Sequence, residues 1–410
     1  MTKEYVTYVE AQKRIRENVH PLPGVSMRLE QLRGDILLEN VYAPINQPPF
    51  PRSPLDGYAV RGSDTEHASP DRPVMMEVVG RVYAGSSETP SMKADQCVRI
   101  MTGGRIPPDA DAVIRQEDTD GGEEIVKIYK GVHAWQNYCY EGEDFHKGDL
   151  LIEEGTVLDF TVVSLLAGSG VSQVKVPKRP RVTLISTGDE LRPLDSPLPP
   201  GHIYDSNLYG LGARLCELGI SHQSLHIGDH ADPVRMMVMS ALADSDFVIT
   251  TGGVSVGQKD ILVNVLEELL EDENHSYEEI FYGLQMKPGS PSKLVMVDGK
   301  PLLCLSGNPF AAIAVFELVG REILAALTER PLPMKQGKAV LRGSFPKSSR
   351  GERFLRTRIT RGDVTGGLVA EISEANSSGQ IRSMLGCNGF VDIPAGSGPL
   401  TDGQEVSVLY

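Results

Sequence analysis

Four short stretches place glycine beside a polar or acidic residue just after an apolar run: STGDEL at 186–191, IGDH at 227–230, TTGGVSVGQKD at 250–260 and LSGNP at 305–309. Glycine lets backbone approach a ligand closely, and amides at a helix start can receive a phosphate. The carboxylates Glu190, Asp229 and Asp260 would repel that phosphate unless a cation lay between them. Hard oxygen ligands together with a phosphate favour Mg²⁺. The loop at 250–260 therefore reads as a holder for a phosphorylated ligand, with Asp260 helping to place a metal. It is neither of two familiar phosphate loops: Gln258-Lys259-Asp260 stands where a Walker loop has Gly-Lys-Ser/Thr, and G-x-G-x-x-G is absent. Taken singly, each turn is also explained by helix capping and ordinary turn chemistry. Four on one sheet edge point to an anionic-ligand site.

Other stretches are more ambiguous. Lys287 precedes Pro-Gly in MKPGSPSK (286–293), an exposed cation on a rigid turn and suited to an oxyanion, although a type II turn needs no ligand. GERFLRTR puts Arg353 or Arg356 on a strand face, which a solvated surface explains equally well. Asp-Gly in SPLDGYAV (53–60) is a turn signal that Tyr58 can anchor, and GEDFHKGD (142–149) resembles solvated loop. Residue type alone makes neither Asp56 nor Asp144 catalytic. The nine histidines show no metal-ligand spacing.

The elements that must position these turns fall into regions. Residues 1 to about 45 carry helical periodicity, and a proline-rich crossover follows. Short strand-like text runs from about 70 to 135, and helical character returns at TVLDFTVVSLLAGSG. From 181 to 326 strands alternate with helices, among them SNLYGLGARLCELG, a helix from Asp232 as N-cap with Pro233 at its first position, and a long helix after Asn308-Pro309. That alternation predicts a parallel sheet with helices on both faces, whose ligands bind beyond the C-terminal strand ends. Five short strands after about 332 predict a small barrel or sandwich. The fold class is α/β plus β.

Length and composition agree with several soluble domains: 410 residues, 40% hydrophobic, with no apolar run approaching the ~20 residues of a membrane span. A net charge of −15 disfavours non-specific nucleic-acid binding. Five scattered cysteines with no C-x-x-C suggest neither a disulfide framework nor a zinc knuckle, and with no apolar signal core the expected location is cytoplasmic.

Taken in order, PRSPLDGYAVRGSD, VRIMTGGRIPPDADAVIRQED, GEDFHKGD, ISTGDEL, GHIYDSN, TTGGVSVGQKD, MKPG and LSGNPFAA resemble the molybdopterin molybdotransferase family, the MoeA type related to the gephyrin E domain. The resemblance covers essentially the whole chain. It implies a mixed N-terminal domain (1–45 and 140–178), an inserted β domain (46–139), an α/β molybdopterin-binding domain (179–330) and a C-terminal β-barrel-like domain (331–410). It further implies a homodimer whose active sites lie between subunits, and a reaction. Molybdate enters the dithiolene of adenylylated molybdopterin, and Mg²⁺-dependent cleavage of the phosphoanhydride releases AMP.

Carried over by motif, Asp56 and Thr102 reach the site from the partner subunit, and Asp144 sits near the interdomain cleft. Glu190, Asp229 and Asp260 surround metal and phosphates, with Gly252, Gly253, Ser255, Ser306 and Asn308 holding the cofactor. Lys287, Pro288, Arg356 and Ser378 form the molybdate pocket. The molybdopterin adenylyltransferase is the implied partner; no nucleic acid or membrane is. Two departures stand out: NYCYEGED lacks an arginine cluster that some relatives carry before GED, and Ser290-Pro291 follows KPG where some have a second lysine. A scaffold of the gephyrin-E kind, a tungstate-specific enzyme and an adenylyltransferase are the competing readings. The scaffold normally needs an assembly domain and linker, which this sequence does not show.

Overall fold

The structure is a computed structural model that describes residues 4–254, 261–362, 366–372 and 379–410. Ser255, Asp260 and Ser378, all named above, lie outside the described residues. The chain divides into two compact units: residues up to 26, 32–36 and 175–410 make one, and 27–31 with 37–174 make the other. No helix among the described residues is long and apolar enough to cross a membrane.

In the first unit a six-stranded sheet has the order His222–Ile227, Val182–Thr187, Phe247–Thr251, Lys300–Leu305, Lys293–Val297, Tyr277–Phe281. The first four strands run parallel. Lys293–Val297 runs antiparallel to both of its neighbours, so the sheet is mixed rather than wholly parallel. The reason is local. Asp298 and Gly299 both adopt positive φ, the backbone a two-residue hairpin turn demands, and reverse the chain at once.

Helices cover both faces. Leu211 and Leu215 of Ser206–Glu217 pack with Leu184, Ile249 and Leu303 on one side, while Val234 and Val238 of Ala231–Asp244 pack with Leu262 and Leu269 of Ile261–Glu271, Ile185 and Val248 on the other. This is the doubly wound α/β architecture expected. Ala231–Asp244 starts earlier than expected: His230 holds the cap position, without a side-chain hydrogen bond, and Asp232 and Pro233 lie inside the first turn. Proline is tolerated there because first-turn amides have no intrahelical acceptor.

Of the helical periodicity over 1–45, the described residues form one α-helix, Tyr8–Asn18, and a single 3-10 turn, Leu29–Gln31. Thr7 caps it, its Oγ1 accepting from Glu10 N at 3.2 Å, and Tyr8, Ala11 and Ile15 bury one face. At Val19 the backbone turns extended, and Gly24–Arg28 is a strand.

The C-terminal strands close on themselves. Glu352–Arg361 pairs with both Leu368–Ile372 and Gly389–Ile393, and Gln336–Arg342 and Glu405–Leu409 complete the ring. Closure removes sheet edges and seals a core containing Leu341, Leu355, Val391 and Val408. One short segment joins from outside: Met286–Lys287 pairs in parallel with Glu352 and Arg353.

In the second unit the sheet order is Ala112–Arg115, Gly57–Val60, Gln96–Ile100, Val74–Val82, Ile125–Ile128. Gly57 is required by close approach: a Cβ there would lie 1.8 Å from the Ile114 carbonyl oxygen. Tyr58 is fully buried, and its hydroxyl donates to Gly122 O at 3.0 Å.

Candidate functional site

Register sets the ends of the parallel strands level, pairing Thr187 with Ile227 and Thr251 with Leu305. The turns beyond Thr187, Thr251 and Leu305 border a cleft of about 690 Å³, lined in part by Thr187, Glu190, Asp205, Asn207, Thr251, Gly307 and Pro309. Glu190 is exposed, and its carboxylate folds back over Gly188, where a Cβ would meet its Oε2 at 2.6 Å. Asp229 is half-buried and linked to Asp189: Asp229 N donates to Asp189 Oδ1 at 3.0 Å, and Asp189 N to Asp229 Oδ2 at 3.4 Å. Those bonds fix the two turns to each other and leave further carboxylate lone pairs.

Gly252 and Gly253 both take positive φ, at 95° and 65°. The Gly252 amide donates to Leu305 O at 3.1 Å, so it ties neighbouring strand ends together and does not offer itself to an anion. A Cβ at Gly252 would meet the Thr187 carbonyl at 2.5 Å. Ser306 Oγ accepts from Asn308 N at 3.2 Å and shapes the turn before the Pro309–Val315 helix.

Sequence reasoning missed Asp205 and Asn207 as site residues. Asp205 caps Ser206–Glu217, its Oδ1 accepting from Leu208 N at 3.0 Å, and Asn207 Nδ2 donates to Gly307 O at 2.9 Å. The usable signal was IYDSN, an Asp directly before an apolar helical run, which by itself reads only as a cap.

Lys287 and Pro288 form a cis peptide, and Lys287 is exposed. Strand pairing sets Lys287 against Arg353, and the two share a cavity of about 440 Å³ with Ser290, Ser349 and Arg350. Arg356 lines a different cavity. It is buried, its guanidinium 4.3 Å from the Phe310 ring centre, with Cys387 on the same wall. Burial pulls its pKa down, and the Cys387 thiol pushes back. Of Arg353 and Arg356, the structure thus brings Arg353 to Lys287.

The second unit joins Asp56 and Thr102. Asp56 Oδ1 accepts from Thr102 N at 2.7 Å and Thr102 Oγ1 at 2.8 Å. The loops are stitched further: Gly103 N donates to Ser53 O at 2.8 Å, and Ser53 N to Gly104 O at 2.9 Å. The Thr102 amide and then its hydroxyl hold the Asp56 carboxyl below the ordinary aspartate range. Any stability from this exposed pair is present at neutral pH and fades as pH falls through that depressed value. In Thr102→Val we expect the Asp56 titration midpoint, followed by carboxyl-carbon NMR, to rise toward the ordinary value; an unmoved midpoint removes the hydroxyl from this account.

Asp144 is exposed, its amide donating to Gln47 O at 2.9 Å. Just before it, Trp135, Tyr138 and Tyr140 form an aromatic cluster with ring centres 5.0–5.7 Å apart.

Three family models match consecutive stretches: the MoeA N-terminal region (domain I and II) at 6–170, a probable molybdopterin binding domain at 183–326, and the MoeA C-terminal region (domain IV) at 338–410. A molybdopterin molybdenumtransferase of Bacillus subtilis (strain 168) is 35% identical over 388 residues, 93% of this chain and 88% of its own length. The chain belongs to the MoeA family. A second MoeA-family relative, the molybdopterin molybdenumtransferase of Staphylococcus epidermidis (strain ATCC 12228 / FDA PCI 1200), is 31% identical over 406 residues, 98% of this chain and 95% of its own. Among solved structures, a molybdopterin biosynthesis MoeA protein from Pyrococcus horikosii matches with TM-score 0.82 at 31% identity, covering 99% of both chains. Another from Pyrococcus horikoshii OT3 matches at 0.76 and 26% identity, covering 99% of this chain and 100% of its own. MoeA membership bears out the family that the motifs indicated, its multi-domain fold and the transferase class.

Proposed function

We propose that this MoeA-family transferase acts in molybdenum cofactor biosynthesis, inserting molybdate into adenylylated molybdopterin and releasing AMP. One observation supports the reading: the ends of three neighbouring parallel strands, Val182–Thr187, Phe247–Thr251 and Lys300–Leu305, border a cleft in which Glu190, polar turns and helix starts meet.

Among the described residues no three Asp, Glu, His or Cys side chains converge as a metal cage. Mg²⁺ bound together with substrate phosphates needs only one or two carboxylates, and Glu190 and Asp229 at neighbouring strand ends fit that donor set, with Asp260 a third candidate. When bound, Mg²⁺ would offset the pyrophosphate charge and polarise the phosphorus under attack. The protein's own groups do the rest. The helix start at Pro309 and the turn at Gly253 receive the anionic substrate, with Ser255 assigned there by motif, and Ser306 and Asn308 shape the floor. Lys287 and Pro288 present a cation to molybdate beside Arg353, with Ser378 assigned there by motif; Arg356, assigned there by motif too, lines a separate cavity. Water attacks the phosphoanhydride, the P–O bond breaks, and AMP leaves with one phosphate while the other stays on the pterin.

The same reading makes the protein a cytoplasmic homodimer with Asp56 and Thr102 reaching the partner's site, Asp144 near the interdomain cleft, and the adenylyltransferase supplying substrate. The four-domain division at 45, 139, 178 and 330 belongs to it as well. The test is AMP release from adenylylated molybdopterin with Mg²⁺, with and without molybdate. We expect release that depends on molybdate and yields active cofactor. Binding without cleavage makes the protein a carrier, and equal or better turnover with tungstate reassigns the oxyanion.

A further inference from the structure

Asp205 and Asn207 are each 7% exposed and line the strand-end cleft, and each has one oxygen that meets no donor among the described residues: Asp205 Oδ2 and Asn207 Oδ1. Their other atoms are committed. Asp205 Oδ1 caps the helix through Leu208 N, and Asn207 Nδ2 donates to Gly307 O, which fixes the amide with its oxygen as the remaining acceptor. Buried acceptors left without donors are costly, and native proteins rarely keep two so close in the chain without a use. Two buried acceptors with no donor among the described residues call for a ligand edge carrying two N–H donors.

We infer that Asp205 and Asn207 recognise the pterin ring of the substrate through its 2-amino and N3–H donors. The inference rests on the molybdopterin reading and names the part of the substrate that this end of the cleft receives. The adenine of the same substrate fits less well. Its 6-amino donor lies beside N1, an acceptor, which would set one acceptor against another. A pterin presents two adjacent donors, and the start of the Ser206–Glu217 helix supports an acceptor pair there because its dipole favours negative charge.

The test uses the intact protein and two free rings as probes, 6-hydroxymethylpterin and 6-hydroxymethyllumazine, in which an oxygen replaces the 2-amino group. Fluorescence titration of each probe gives an affinity ratio. We expect the wild type to prefer the pterin by at least about tenfold, since a site built for a donor rejects an analogue lacking it. Asp205→Ser keeps a good helix cap and removes the orphan acceptor, so the preference should collapse towards unity with an unchanged melting temperature. Asn207→Ala serves as the second variant and should lower the same ratio.

A wild type that binds both probes alike, binds neither, or keeps its preference in Asp205→Ser overturns the inference. The outcome separates from that of the proposed reaction. Molybdate-dependent AMP release with no pterin preference leaves the reaction standing and removes these two residues from ring recognition. A preference that Asp205→Ser abolishes, in a protein that releases no AMP, keeps the ring site and removes the reaction.

Discussion

Glu190→Gln should lower molybdate-dependent AMP release by about a hundredfold or more while leaving the fold unchanged. The magnitude is that of losing a charged group aimed at transferring phosphate. Glu190 is exposed at the end of Val182–Thr187, and its carboxylate takes no part in the core, so a neutral amide of the same shape should not alter the melt. The change removes charge and keeps size. Single-turnover AMP release at saturating Mg²⁺, beside a thermal melt, checks it. Full activity removes Glu190 from the metal and phosphate site. A lowered melting temperature with intact turnover makes it structural.

The second large effect is on stability. In Gly57→Ala the added Cβ would sit 1.8 Å from Ile114 O and 2.9 Å from Ile114 C, in a strand paired on both sides with Gln96–Ile100 and Ala112–Arg115. No flexible side chain can move aside, because both contacts are backbone. The sheet must separate locally, and losses of roughly 4 kcal/mol or more are expected of such overpacking with broken ladder bonds. Hydrogen exchange should show protection falling across Gly57–Val60 and its two neighbours first. Asp56 adjoins the disrupted position, so its hydrogen bonds to Thr102 should loosen too. Wild-type protection in that sheet would mean the strands accommodate a methyl group by sliding.

The strand-and-helix alternation after residue 181 was legible because both periods were written plainly, and so were the five strands of the barrel. The glycine-bearing turns were visible as a set because a doubly wound sheet aligns its C-terminal ends. What could not be read locally was pairing. The antiparallel Lys293–Val297 strand follows from Asp298-Gly299, a two-residue hairpin signal that the wider α/β rhythm masks. Arg353 and Arg356 are three residues apart on one strand, so they point to opposite faces, and only tertiary register sets Arg353 opposite Lys287. Asp205 looked like a cap and is one; its second oxygen became informative only once its surroundings were known. Gly252 shows the reverse case, a turn amide that looked available and is bonded to Leu305.

The pairing of Met286–Lys287 with the barrel strand Glu352–Arg361 bears on how such a chain can be cut and recombined. An α/β module excised before Gln336 would carry the KPG turn without the strand that holds it in line. Its lysine would then hang from an unpaired edge, a template for sticking to other chains. Modular exchange in this architecture is therefore expected to succeed only when the α/β and barrel portions travel together. A graft that swaps the barrel alone must keep a strand whose first two residues can receive Met286 and Lys287.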